Sequence, residues 1–174
     1  GGRPIMAYHT DGAGEMTSKA NRERLFDKLI ALKLSTPGAS NQNSLAERAN
    51  QQILHRARVL LHQSGLPIGF WQHAMEAAAH YYNRTPNAGN PGSKSPWEMW
   101  YGDTPSGDKL RAWGCVVYVY KDKRLRPNKS KVDPTGYPQI FVGWPRDGIT
   151  GYLCFDPVTR VMKHRYSVIF PETK

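Results

Sequence analysis

Two carboxylates stand where chemistry could use them. Asp11 directly follows the apolar run "PIMAYHT", and Glu47 opens the run "SLAERANQQILHRARVLL"; 35 residues lie between the two acids. A strand end and a helix start separated by one intervening helix can be brought side by side in an α/β layer. Phosphoryl transfer by two metals needs such convergence, because carboxylates must hold two cations ~3.5–4 Å apart on the attacking and leaving oxygens. Each acid also has a plainer reading. Asp11 in "TDGAGE" suits a turn, and a glutamate in a first helical turn complements the helix dipole. The residues alone leave both readings open.

A second set of residues is cationic. Arg48, Gln51, His55 and Arg58 recur at helical spacing after Glu47, a face suited to phosphates or simply to solvent. The run "KDKRLRPNKSK" holds Lys121, Lys123, Arg124, Arg126, Lys129 and Lys131 against the single acid Asp122. Phosphate contact through such residues releases counterions, so affinity falls steeply with salt. The histidine pairs 55/62 and 73/80 sit seven residues apart with no further ligand nearby in sequence, a poor metal set. Trp97, Trp100, Trp113 and Trp144 could stack on bases, but at a domain junction and in short strands they read as core.

The elements that must position these residues change character along the chain. "PIMAYHT" reads as a short buried strand, and "SKANRERLFDKLIALKL" as a helix carrying Ala20, Leu25, Leu29, Ile30 and Leu32. After the loop "STPGASNQNS" comes the clearest helix, about Leu45 to Gln63, with Ala46, Ala49, Ile53, Ala57, Leu60 and Leu61 in one apolar stripe. A further helix runs through Phe70, Ala74, Ala77, Ala78 and Tyr81, and "WEMWYGDTP" adds a turn or short helix. From there "WGCVVYVYK", "PQIFVGW", "GYLCFDP" and "RVMKHRYSVIF" are short β-type runs, with a hairpin turn at Asp156 and Pro157. The expected fold class is α/β plus all-β, divided into residues 1–103 and 104–174.

Composition bounds the partners. Among 174 residues, 39% are hydrophobic and 11% aromatic, enough for a packed core, and the formal charge is +10. That excess favours a polyanion, most plausibly nucleic acid. Cys115 and Cys154 lie in apolar runs and match no metal-ligand spacing, which suits reduced core thiols of an intracellular protein. No apolar run approaches the ~20 residues of a membrane span. The abrupt start without methionine suggests a fragment.

The blocks "TDGAGEM", "STPGASNQNSLAERANQQI", "YYNRTP", "KSPWEMWYGDTP", "LRAWGCVVYVY", "KSKVDPTGYPQIFVGW" and "GYLCFDPVTRVMKHRYSVIF" occur in an order that resembles the back half of a copia-type retrotransposon integrase. The resemblance covers nearly the whole chain. It implies an incomplete ribonuclease-H-like core with one strand and several helices, followed by a small antiparallel β-barrel. It also implies that Asp11 matches the family's second catalytic, metal-binding aspartate and Glu47 its glutamate, with magnesium or manganese as cofactor. The first aspartate belongs to an earlier strand that this sequence does not contain, so catalysis by this chain alone is not expected. DNA is the implied partner and the nucleus the implied location. The alternative is a domesticated, non-catalytic component of a ribonucleoprotein or another large assembly. That component would be RNA-bound and possible in an organelle, with other protein chains covering the open sheet edge.

Overall fold

The computed structural model describes residues 4–10, 14–34, 44–108, 110–120, 135–145 and 150–171. By contacts the chain forms two compact units, Gly1–Gln52 with Arg84–Pro105, and Ile53–Asn83 with Ser106–Lys174.

The first unit contains strand β1 (Ala7–Thr10), the one-turn helix α1 (Gly14–Thr17), helix α2 (Lys19–Asp27) and strand β2 (Ala31–Leu34). Ser18 caps α2, its side chain accepting from the Asn21 amide. The helix expected to run on through Leu32 instead stops at Asp27. Leu29 turns the chain at φ 55°, and residues 31–34 pair in parallel with β1, from Ala7 opposite Ala31 to Thr10 opposite Leu34. The region therefore holds two strands rather than one. "ALKL" fits a helical stripe in sequence, but β1 offers it a ladder of backbone partners, and parallel strands require a crossover such as α2 between them. Local apolar spacing in a four-residue run cannot distinguish these outcomes.

Residues 84–105 of the same unit are organised by helix α5 (Pro96–Tyr101). Ser95 is fully buried and closes a reciprocal cap: its hydroxyl accepts from the Glu98 amide while the Glu98 carboxylate accepts from the Ser95 amide at 2.8 Å. Those bonds to Ser95 hold the Glu98 carboxyl below its ordinary pKa. Gly102 ends the helix in a left-handed conformation, φ 86°. The Arg84 guanidinium lies 4.3 Å from the Trp97 ring centre, and Trp97 packs on Tyr101 at 4.2 Å. Trp100, expected in a core, is 40% exposed.

Helix α3 (Ser44–Ser64) and helix α4 (Trp71–Arg84, entered by a 3-10 turn at Ile68–Phe70) match the two long helices expected from the sequence. In the second unit the α3 stripe of Ile53, Ala57, Leu60 and Leu61 meets Ala74, Ala77 and Ala78 of α4 and the indole of Trp113. Three alanines and no larger residue are what α4 buries.

The rest of this unit is one antiparallel sheet: β3 (Val116–Tyr120), β4 (Gly136–Gly143), β5 (Tyr152–Asp156), β6 (Val161–Arg165) and β7 (Val168–Ile169), in the order β6-β5-β4-β3-β7. Four strands form a meander, and β7 returns to pair with β3. Val117, Val119, Phe141 and Cys154 are buried on one face, joined by Tyr152, Val168 and Phe170. A register shift between Phe141 and Gly143 bends β4. The expected hairpin turn at Asp156 is present. Its carboxylate accepts from the amides of Val158 (2.9 Å) and Thr159 (3.2 Å), and Arg160 closes the turn at φ 58°.

Gly114 is the tightest glycine of the unit. At φ 80° a Cβ there would lie 2.2 Å from the Cβ of Ser64, the last residue of α3. Left-handed backbone costs a side chain roughly 1–2 kcal/mol and overpacking about 1–3 more. Gly114→Ala is therefore expected to destabilise by about 2–4 kcal/mol, read as a lower urea midpoint at unchanged m. Gly107→Ala, where nothing lies within 4 Å of the added carbon, should leave the midpoint in place.

Candidate nucleic-acid interface

Of the two sequence-predicted acids, the structure describes Glu47 alone. Glu47 is exposed in the first turn of α3. Asp11 lies outside the described residues, next in sequence after Thr10, which ends β1 and is buried. Hard carboxylate oxygens suit magnesium or manganese, but the described residues hold no group of three His, Cys, Asp or Glu side chains that could bind a metal. Glu47 on its own is not a metal site.

Of the cationic candidates, Arg48, His55 and Arg58 are exposed on α3. Arg48 is oriented by its own helix: Nε donates to the Ser44 carbonyl and a terminal nitrogen to the Ser44 hydroxyl, each at 3.2 Å. This directs its guanidinium toward the start of α3, the end where helix amides favour anions. His55 and Arg58 belong to the second unit. Lys121, Lys123, Arg124, Arg126, Lys129 and Lys131 lie outside the described residues. In sequence they fall between Tyr120, the last residue of β3, and Gly136, the first of β4.

The strands on either side of this run carry a feature that composition did not disclose. Along β3 burial alternates strictly: Val117 and Val119 are at most 3% exposed, whereas Val116, Tyr118 and Tyr120 are 45–49% exposed. Register extends the exposed face sideways, because residues directly opposite each other share a face. Ile169 on β7 lies opposite Tyr118, Pro138 on β4 lies opposite Tyr118 on the other side, and Gly136 lies opposite Tyr120. The period-two pattern of "VVYVY" is the sequence signal that announces two exposed tyrosines.

The opposite face packs against the helices. The Trp113 indole donates to the Val142 carbonyl at 2.9 Å, and the Tyr81 hydroxyl donates to the Arg111 carbonyl at 2.5 Å. Burial pushes the Tyr81 phenol up to about 12 and the Cys154 thiol up to about 11, and it raises Cys115 as well. His80 stacks on Trp144 with ring centres 3.8 Å apart. Neither cysteine is poised as a nucleophile, since the thiolate is the reactive form. The described residues contain no helix long and apolar enough to cross a membrane.

Residues 115–174 match the Retroviral polymerase SH3-like domain. Along most of its length the chain is similar to Pol polyproteins of copia-type transposons. It is 30% identical over 173 residues, 99% of its length, to the retrovirus-related Pol polyprotein from transposon TNT 1-94 of Nicotiana tabacum. It is 30% identical over 151 residues, 86% of its length, to that from transposon RE1 of Arabidopsis thaliana. It spans only 13% and 10% of those two polyproteins. An uncharacterized mitochondrial protein of Arabidopsis thaliana is 32% identical over 88 residues, half of this chain and 72% of that protein. A chain in the cryoEM structure of a simian T-cell lymphotropic virus intasome aligns over 96% of this chain and 59% of its own length. Its TM-score is 0.47 at 14% identity, too slight a likeness to argue from.

The thiols provide a test of the packed face. A raised folded-state value means the native protein holds the proton that the unfolded chain releases, so stability falls as pH rises from the ordinary thiol range through about 11. Both cysteines are expected to resist a thiol reagent at pH 8 in the native protein and to react completely in denaturant. Half-buried Cys115 should react before buried Cys154. Mass spectrometry of timed labelling reads the order.

Proposed function

We propose that this chain is the nucleic-acid-binding part of the integrase region of a retrotransposon Pol polyprotein, with DNA integration belonging to the larger parent. The observation that carries the reading is similarity to a Pol polyprotein along 99% of the chain, joined to a net charge of +10. In this reading Lys121, Lys123, Arg124, Arg126, Lys129 and Lys131 neutralise phosphates, with Arg48, His55 and Arg58 adding contacts from α3. Asp11 and Glu47 are two of the three acids of a ribonuclease-H-like centre, and the parent supplies the third and the magnesium or manganese. A nuclear site of action follows from integration.

The first unit supports the idea that other polypeptide covers this region. Helix α2 buries no residue, and Phe26 and Leu29 are 79% and 86% exposed. A two-stranded sheet gains stability of its own only from further strands or from a helix packed on its face. Further strands of the parent, or another chain, would cover that surface. No described feature favours the alternative of a domesticated component of a ribonucleoprotein.

The test is binding to a labelled duplex DNA as a function of salt. Three or more phosphate contacts predict a log–log slope of about −2.7 or steeper, and each lost contact flattens it by about 0.9. Replacing Lys121, Lys123 and Lys129 by Gln should flatten the slope by up to about 2.7. Asp11→Asn and Glu47→Gln should leave affinity within about twofold, because removing an acid takes no contact away. A slope unmoved by the lysine changes would refute the assignment of the basic run.

A further inference from the structure

Basic residues explain attraction to any polyanion, but they do not explain two tyrosines held half-exposed on β3. A solvent-facing strand position is normally polar, yet β3 presents Val116, Tyr118 and Tyr120 outward, and Ile169, 68% exposed, extends the same face. The described positions of this face on β3, β4 and β7 (116, 118, 120, 136, 138, 140 and 169) include no acid, and from Cys115 to Lys131 the sequence contains only one, Asp122. Exposed apolar surface of this kind marks a binding face.

We propose that this outer face of β3 takes unpaired nucleotides, with bases stacking on Tyr118 and Tyr120. This rests on the reading of the chain as a nucleic-acid binder and adds which form of nucleic acid the sheet prefers.

Three observations favour this occupant. Same-face residues two apart on a strand are separated by about 7 Å. That is about twice the ~3.4 Å spacing of nucleotides along a strand, so one planar base fits between the two rings. Gly136, opposite Tyr120, places no side chain beside that ring. Val117 and Val119, buried in the core, fix the strand that carries both rings. Charge decides against a second copy of the chain, since two molecules at +10 repel, whereas a polyanion is attracted. A duplex keeps its bases stacked on one another, so only an unpaired strand can offer flat faces to tyrosine.

The experiment measures the full chain by fluorescence anisotropy against an oligothymidylate of about 16 nucleotides and a blunt duplex of the same length. Tyr118→Ala is expected to weaken oligothymidylate binding about tenfold, and Tyr118→Ala with Tyr120→Ala more, from a stacking contribution of that order per base. Duplex affinity should stay within about twofold, and Tyr118→Phe, which keeps the ring, should bind the single strand like the parent. Unchanged oligothymidylate binding by the double variant overturns the stacking inference while leaving the phosphate reading intact. Equal loss on both substrates, or loss in Tyr118→Phe, also overturns it. Absence of binding to either substrate by the unaltered chain refutes the underlying reading as well. Self-association of the unaltered chain in sedimentation, abolished by Tyr118→Ala, would assign the face to a protein contact instead.

Discussion

The second unit depends on one indole. Trp113 is 5% exposed and sits among Ala57, Ala74, Ala77 and Ala78, with its N–H donated to the Val142 carbonyl. An indole this deeply buried needs its single donor satisfied, and the acceptor it uses belongs to β4, so burying the ring also fixes where the sheet lies against the helices. The alanines are what make the room. Any larger residue at 74, 77 or 78 would stand where the ring stands, and cores at native packing density do not absorb added methylenes freely. Trp144 continues the arrangement, packing against both the helix cluster and the sheet cluster. Gly114 follows from the same constraint, because the residue after Trp113 must pass Ser64 at a distance no side chain permits.

What the sequence disclosed follows from which interactions are local. Helix α3 was legible because its apolar stripe repeats over five turns, and the Asp156 turn because an aspartate can accept its own neighbours' amides. The strand at 31–34 was not legible. Its identity depends on pairing with residues 7–10 across a whole helix, and "ALKL" is too short for its periodicity to decide. The companionship of α3 and α4 with the sheet was hidden for the same reason: a run of small residues in α4 says that something packs closely, not what. Trp100 shows the converse error, since hydrophobicity alone assigns a tryptophan to a core it need not enter.

The candidate site divides along similar lines. A cluster of six cations needs no fold to be recognised, because its charge acts over distances comparable to the Debye length. A two-metal centre is different. Its carboxylates must converge to within a few ångströms, and sequence spacing between Asp11 and Glu47 states only that such convergence is open to an α/β layer. The tyrosine face falls between these cases. Alternation in "VVYVY" indicates two faces, but only the burial of Val117 and Val119 says which face is outside.

These differences separate two kinds of function that one chain can carry. Phosphate attraction is built from single contacts, each lysine contributing by itself and roughly additively. The proposed stacking face needs only a strand held by a closed core, and here that core lies within the second unit. Metal chemistry needs a set, because a carboxylate without its partners binds a divalent ion weakly and positions nothing. The physical reason is cooperativity. The acids act only as a set, whereas each cation and each ring acts alone.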